Sequence, residues 1–166
     1  QSYGIEVINF YGSNEGIGLF CTAAHTSNPE ERASCFPCLG SGVGDFEGYA
    51  ASVVKTRVAD PATGESITEP GQTGELLVSG GMVFDGYFDT DNGEVFTSDG
   101  YFRTGDLVEI CGDPPLFYRI AGRCKDIINR GGMKISPAEI DVLLEALPGV
   151  AEAAVCSYPD EKLGER

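Results

Sequence analysis

Residues 122–140 read GRCKDIINRGGMKISPAEI, and this stretch decides the fold of the second part of the chain. The pair Gly131-Gly132 separates two short mixed runs, residues 126–130 and 133–135, which is typical of a β-hairpin. Basic side chains recur through the stretch, at Arg123, Lys125, Arg130 and Lys134. It could therefore be a solvated hairpin, or a cationic loop whose backbone is open to a nucleotide and a second substrate.

A helix is predicted immediately after the hairpin. Ser136 is expected to cap it, with Pro137 at the first helical position and Glu139 three residues after the cap, as in a capping box. The predicted apolar stripe consists of Ile140, Leu143, Leu144 and Leu147. Pro148 and Gly149 should end the helix, and residues 150–158 should form a strand.

The chain before residue 121 has the pattern of a β-rich unit. Short apolar runs separated by Gly, Pro and Asp turns predict several strands within residues 50–120, forming a small barrel or sheet. Residues 6–11 predict a buried strand, and residues 21–48 predict a loop. The strands expected within the β-rich unit cover residues 51–58, 74–80, 107–111 and 116–120.

Composition narrows the class of partner. The 166 residues carry a formal net charge of −15, which argues against nucleic acid or an anionic membrane as the main partner. No apolar run approaches the roughly 20 residues that a membrane helix needs. The acidity is uneven, because residues 1–118 carry a net charge of −14 and residues 119–166 only −1. The shift at Arg119 is a candidate boundary between two structural units.

Six cysteines are present, two of them in the C-x-x-C motif Cys35 to Cys38. A zinc site would need a second such pair, which the sequence lacks. A chance pair of reduced thiols, in a cytoplasmic setting, is the favoured interpretation.

Two further polar clusters contain groups suited to a nucleotide. Residues 11–16, YGSNEG, combine an aromatic ring with a carboxylate that could hold Mg²⁺. Residues 101–107, YFRTGDL, contain Asp106, which could accept two hydrogen bonds from a ribose diol. Each cluster taken alone is also explained as a turn next to a strand.

In this order, the three clusters resemble those of the adenylate-forming enzyme superfamily, which comprises acyl-CoA synthetases, peptide-synthetase adenylation domains and luciferases. The segment from Gly74-Glu75-Leu76 to Gly86-Tyr87 is similar to another segment of that family. The resemblance covers essentially the whole chain and implies a mixed α/β (α+β) fold. Residues 1–122 would be the C-terminal, β-rich part of the large AMP-binding domain. Residues 123–166 would be the hinge and the first part of a small domain built as hairpin, helix and strand.

The resemblance also implies a role for each matching residue. Tyr11 would stack on adenine, Glu15 would bind Mg²⁺, and Asn14 stands where the family usually has a Thr that touches the α-phosphate. Lys125 would lie at the hinge between the domains. Implied nucleotide-binding residues also include Gly12, Asp106 and Arg123, and the loop used in the thioester-forming step would contain Gly131 and Gly132.

The implied reaction joins a fatty or aryl carboxylic acid to CoA at the expense of ATP, by way of acyl-AMP. The family's phosphate loop would lie upstream of residue 1 and its catalytic lysine downstream of residue 166. We therefore expect an internal segment that spans the domain junction and does not adenylate by itself. Surfaces normally packed against other parts would be exposed, so self-association as a homo-oligomer is also expected.

Three other interpretations stay open. A stand-alone aryl-acid adenylating enzyme would load a carrier protein instead of CoA. A non-catalytic nucleotide-binding fragment would keep the fold without the reaction, and the Asn at position 14 favours it. A purely structural β-rich domain would explain the strands but not the motifs. Ser13, Gly16, Ile17 and Gly18 are candidates for part of an acid pocket.

Overall fold

The computed structural model describes residues 5–40, residue 46 and residues 52–166. Antiparallel strands dominate this part of the chain, with few helices, so the expected mixed α/β class is confirmed. Among the described residues, no helix combines the length and the apolar character needed to cross a membrane. The strands are β1 (Asn9–Gly12), β2 (Gly18–Cys21), β3 (Cys35–Pro37), β4 (Val54–Ala59), β5 (Ser66–Ile67), β6 (Thr73–Gly80), β7 (Phe102–Cys111), β8 (Phe117–Arg123), β9 (Ile128–Arg130), β10 (Met133–Ile135), β11 (Pro159–Asp160) and β12 (Gly164–Glu165). The helices are α1 (Pro29–Ser34) and α2 (Pro137–Glu145), with a 3₁₀ turn at Cys124–Asp126.

A six-stranded sheet in the order β3-β8-β7-β6-β4-β5 forms the main body. The core of this sheet includes Leu76 and Val78 of β6 and Val108 of β7, whose side chains are all fully buried. The strands predicted at residues 74–80, 107–111 and 116–120 are confirmed, as is the hairpin that joins the last two.

Strand β7 departs from regular pairing near its start. Glu75 lies opposite Leu107 and Leu77 lies opposite Arg103, so residues 104–106 face Leu76 alone. This bulge lies within the second polar cluster, and the interpretation of that cluster as a turn preceding a strand is wrong. Bulges re-aim side chains out of the ladder, and here the affected side chain is Asp106.

A smaller four-stranded sheet, in the order β10-β9-β12-β11, follows the main body. Its β9–β10 hairpin turns at Gly131-Gly132, as the sequence predicts. Both glycines have positive φ, 60° and 90°, a conformation that disfavours other residues. Helix α2 follows directly and packs near β8. Whether residue 122 separates two domains stays a prediction.

The start of α2 differs from the predicted capping box. Ser136 occupies the N-cap position, but its hydroxyl makes no bond to the helix backbone. It donates instead to the carbonyl oxygen of Ala121 at 3.0 Å. The serine therefore joins the start of the helix to β8, and its hydroxyl does not form the predicted capping bond.

The apolar stripe of α2 faces outward in the described part of the chain. The exposed fractions are 69% for Leu143 and 53% for Leu147. The predicted strand at residues 150–158 is also wrong, because the backbone there is irregular and β11 begins at Pro159. Side chains of α2 satisfy the backbone instead: Asp141 accepts the Val155 N–H at 2.7 Å and Glu145 accepts the Ala153 N–H at 3.4 Å.

Two predictions near the start of the chain need correction. The strand placed at residues 6–11 is shorter, Asn9–Gly12, and it is not buried: Val7 and Phe10 are exposed. Among the described residues β1 pairs with β2 alone. The loop predicted at residues 21–48 contains α1 and β3 within its described part. Asn28 caps α1, its side-chain oxygen accepting the Glu30 N–H at 3.0 Å.

Candidate functional site

Two side chains from other parts of the sequence, those of Tyr11 and Arg123, meet at the carboxylate of Asp106. The Tyr11 hydroxyl, at the end of β1, donates to Asp106 Oδ2 at 2.5 Å. The Arg123 guanidinium donates from Nε to Asp106 Oδ1 at 2.9 Å. Asp106 and Arg123 are direct neighbours across β7 and β8, so the sheet itself sets their approach. The structure thus brings together three of the residues predicted to bind a nucleotide.

Asp106 is held in place through its own backbone. Its N–H donates to Thr104 Oγ1 at 3.0 Å, and the Thr104 hydroxyl donates to the carbonyl oxygen of Leu76 at 2.8 Å. The carboxylate is partly exposed, and each of its oxygens accepts one charge-assisted hydrogen bond within the protein. A carboxylate oxygen has room for a second donor, so the pair of oxygens can still receive both hydroxyls of a ribose.

Tyr11 is held by the packing of its ring and by the hydrogen bond of its hydroxyl. Its ring packs against the main core and lies 5.7 Å from the ring of Phe36, centroid to centroid. Burial raises the pKa of the Tyr11 hydroxyl well above its usual value, and the bond to Asp106 raises it further. The hydroxyl therefore stays protonated near neutral pH and remains a donor. Stacking of the Tyr11 ring on adenine stays a prediction.

Glu15 lies in the loop between β1 and β2 and has a partner that the sequence did not assign. The Tyr87 hydroxyl donates to Glu15 Oε1 at 2.7 Å. This bond is the main reason that the pKa of Glu15 lies below its usual value, and a bond from Ser13 adds to the effect. The segment containing Gly86-Tyr87 resembles one of the family, but no pattern in the sequence links it to Glu15.

The surroundings of Glu15 allow a magnesium ion carried by a nucleotide. No cluster of three or more metal-ligating side chains exists within the described residues, so a metal would take most of its ligands elsewhere. Mg²⁺ in nucleotide sites is often held by one or two carboxylates, with phosphate oxygens and waters as the other ligands. The ionised Glu15 has one oxygen, Oε2, that is not engaged by Tyr87, which fits that arrangement.

The remaining residues of the first cluster lie at the tip of the β1–β2 hairpin. Asn14 is exposed, and its side chain has no hydrogen-bond partner among the residues that the structure covers. Gly12 pairs with Gly18 across the hairpin. Gly16 has a φ of 95°, and a Cβ there would lie 1.8 Å from the carbonyl oxygen of Met82. Glycine is therefore required at position 16 for the hairpin to pack against the loop that carries Tyr87.

The predicted hinge and thioester-step residues lie apart from Tyr11, on the elements that follow β8. Lys125 belongs to the 3₁₀ turn after Arg123 and helps to line a cavity of about 530 Å³ between this turn and the start of α2. The Gly131 N–H donates to the carbonyl oxygen of Leu163 at 2.7 Å. The Gly132 N–H donates to Asn129 Oδ1 at 3.1 Å. These bonds fix the turn. Among the described residues, neither glycine forms a hydrogen bond with Tyr11, Asp106 or Arg123.

Comparison with known sequences finds proteins named as CoA ligases, CoA ligase-like proteins and an AMP ligase. The chain is 34% identical over 163 residues to 4-coumarate–CoA ligase-like 6 from Oryza sativa subsp. japonica, an alignment that covers 97% of this chain and 25% of that protein. It is 44% identical over 100 residues to 2,3-dihydroxybenzoate-AMP ligase from Bacillus subtilis, which covers 59% of this chain and 18% of that enzyme. The chain thus spans about a quarter or less of these relatives. No protein-family model matches it.

Comparison with solved structures also finds a protein that binds ATP, as its crystal structure shows. The crystal structure of ATP-bound MatB from Rhodopseudomonas palustris superposes with a TM-score of 0.71 at 33% identity. The superposition covers 96% of this chain and 29% of the MatB chain. The described fold, including the main sheet that carries Asp106, therefore recurs in a protein solved with ATP.

Proposed function

The chain belongs to the adenylate-forming enzyme superfamily, and we propose that it supplies part of the nucleotide site of an ATP-dependent acid–thiol ligase. The observation that carries the proposal is the convergence of Tyr11 and Arg123 on Asp106. A carboxylate held by two donors on a β-bulge is a preorganised acceptor for a ribose diol. Because the chain spans about a quarter of its relatives, the rest of the site would come from other parts of the protein.

The proposed reaction has two halves. In the first, a carboxylate oxygen of the acid attacks the α-phosphorus of ATP, the bond to the bridging oxygen breaks, and pyrophosphate leaves with both electrons of that bond. In the second, a thiolate sulfur attacks the acyl carbonyl carbon and AMP leaves. Neither half needs a strong general base, so positioning and charge stabilisation would supply most of the rate.

Each residue of the site has a role in this scheme. Asp106 would hold the ribose, and Arg123 would use its remaining N–H groups on the ribose or a phosphate, since its side chain is 52% exposed. Glu15 would hold a Mg²⁺ ion, which supplies neutralisation of phosphate charge when bound. Asn14 would donate an amide hydrogen bond to the α-phosphate. Lys125 would be the hinge about which residues 123–166 turn between the two halves, as a gating step.

We propose CoA as the thiol and a fatty or aryl acid as the acyl group. The rice relative, which matches nearly the whole chain, is named a CoA ligase-like protein. The Bacillus relative, named an AMP ligase, supports the second candidate, an aryl-acid adenylating enzyme that loads a carrier protein. We also propose a reducing, cytoplasmic setting, because all six cysteines are free in the structure.

The test is acid-dependent exchange of labelled pyrophosphate into ATP by the full-length protein, over a panel of aliphatic and aromatic acids. We expect exchange with at least one class of acid, and loss of it in Asp106→Ala. Glu109→Gln, which removes a surface ion pair elsewhere on β7, is the matched control and should exchange normally. Exchange that is indifferent to Asp106→Ala would refute the assignment of the site.

The acceptor is tested with the acid found in that panel. CoA and a phosphopantetheinylated carrier protein are offered separately, and release of AMP and formation of each thioester are measured. Thioester formed on CoA supports the first candidate, whereas thioester formed on the carrier alone supports the second.

A further inference from the structure

We propose that Glu75 is a positioning residue for Asp106 and that it controls how strongly the site recognises the ribose of the nucleotide. The inference rests on the proposed function, because it assigns Asp106 to the ribose. It concerns a side chain that does not reach the nucleotide itself. Glu75 lies on β6, one strand away from Asp106, and acts through the bulge of β7.

Glu75 is a buried carboxylate in the middle of an apolar strand. The side chain is only 5% exposed, and the residues that follow it, Leu76 and Leu77, are core residues. A buried carboxylate is costly unless it is paired and hydrogen-bonded. An apolar residue would fill this position without that cost, so the contacts made by the charge are what distinguish glutamate here.

The carboxylate of Glu75 binds the bulge at two points. Oε2 accepts from Arg103 Nη2 at 2.7 Å and from Arg103 Nε at 3.1 Å. Oε1 accepts the backbone N–H of Gly105 at 3.2 Å. Arg103 and Gly105 are the residues three and one positions before Asp106, so Glu75 fixes the chain immediately ahead of the ribose-binding carboxylate.

These bonds replace the ladder bonds that the bulge gives up. Residues 104–106 face Leu76 alone, and bulged backbone cannot satisfy its polar groups by regular pairing. Glu75 accepts the Gly105 N–H, and the Thr104 hydroxyl donates to the carbonyl oxygen of Leu76. Gly105 has a φ of 71°, so the chain reverses its usual twist there and turns Asp106 towards Tyr11 and Arg123. Without the Glu75 carboxylate, the orientation of Asp106 would be less well defined.

The test measures recognition of the ribose hydroxyls, which loss of stability alone would not change selectively. Dissociation constants of ATP and of 2′,3′-dideoxy-ATP are measured by calorimetry on the full-length protein, and their ratio is the readout. We expect the wild-type protein to bind ATP tighter by roughly ten-fold or more, as befits charge-assisted hydrogen bonds. Glu75→Gln should lower this ratio at least about three-fold, because the amide keeps the volume but loses the charge that binds Arg103.

Control variants separate the possible failures. Glu109→Gln removes the 3.1 Å ion pair between Glu109 of β7 and Arg119 of β8 and should leave the ratio unchanged. Asp106→Asn should bring the ratio close to one. If Asp106→Asn lowers the ratio and Glu75→Gln does not, the positioning role of Glu75 is refuted while the ribose assignment stands. If neither lowers it, the ribose assignment itself fails.

A second variant keeps the proposal testable if Glu75→Gln does not fold. Arg103→Lys leaves the Glu75–Gly105 bond possible but cannot reproduce the two-point contact of the guanidinium. Arg103 is partly exposed, so this change is milder for the core. We expect a smaller fall in the same ratio, and an unchanged ratio in a folded Arg103→Lys protein would contradict the proposal.

Discussion

Tyr11 and Asp106 lie 95 positions apart in the sequence and are joined by a hydrogen bond of 2.5 Å between the phenol and the carboxylate. The bond attaches the β1–β2 hairpin, which carries Glu15, to the main sheet, which carries the ribose candidate. It also orients Asp106 before any nucleotide arrives. Such preorganisation reduces the ordering that ligand binding must otherwise impose.

Removing the Tyr11 hydroxyl should destabilise the protein. In Tyr11→Phe the ring keeps its place against Phe36, while a partly buried bond to a charged acceptor is lost. We expect a fall in the free energy of unfolding of about 1.5–3 kcal/mol, measured by urea denaturation near neutral pH. Tyr101→Phe is the control, since the Tyr101 hydroxyl has no hydrogen-bond partner in the described part of the chain. Equal effects of the two changes would contradict the assigned role of the bond.

The cost of Tyr11→Phe should depend on pH in the alkaline range. Folding raises the pKa of Tyr11 above its usual 10.0, so the unfolded chain loses this proton first as the pH rises. The stability that the hydroxyl contributes is complete below that value and is lost above it. The difference in unfolding free energy between wild type and Tyr11→Phe should therefore shrink from about pH 9 to about pH 11 by on the order of 1 kcal/mol. A constant difference over that range would show that Tyr11 titrates normally.

Tyr87 should affect the magnesium requirement. Its bond holds Glu15 Oε1 and lowers the pKa of the carboxyl, so Tyr87→Phe leaves Glu15 less well oriented and slightly more basic. We expect the Mg²⁺ concentration for half-maximal ATP binding to rise roughly ten-fold, the low end of the loss that follows when a group orienting a metal ligand is removed. The nearby Phe88, which is 98% exposed, provides the control variant Phe88→Leu, which should change nothing. The same magnesium dependence in the wild type, Tyr87→Phe and Phe88→Leu would show that Tyr87 does not orient Glu15 for magnesium.

The thiols of the C-x-x-C motif should be unreactive. Cys35 and Cys38 are buried, and burial raises the pKa of Cys38 to about 12, so little thiolate exists near neutral pH. Cys156 is exposed. Alkylation of the native protein near pH 8, followed by peptide mass mapping, should label Cys156 first and leave the pair intact. Rapid labelling of Cys38, or an isolated disulfide between the pair, would indicate a redox role.

Local patterns allowed much of the fold to be predicted. The strand at residues 74–80 and the Gly131-Gly132 hairpin depend on alternation and turn chemistry within a few residues, and both are confirmed. Residues 150–158 show the limit of that reasoning. Their apolar pattern suits a strand, but α2 side chains bind the backbone, and no local rule reveals such a partner. The same holds for Ser136, whose hydroxyl prefers Ala121 to its own helix.

The candidate site was predictable only in part, for a related reason. Asp106, Arg123 and Glu15 were identified through resemblance of short motifs, and the structure brings the first two together with Tyr11. Tyr87 and Glu75 were missed as members of the site, because their contacts span 72 residues and 30 residues of sequence. Such contacts follow from strand register and bulges, which depend on the whole sheet.

The most direct test of the central claim is the dissociation constant of ATP for the full-length protein and for its Asp106→Asn variant, measured side by side. We expect the substitution to weaken ATP binding by about 1–3 kcal/mol, or roughly 5- to 150-fold, while thermal unfolding shows that the variant is folded. Equal dissociation constants for the two folded proteins would contradict the claim that Asp106 holds the nucleotide.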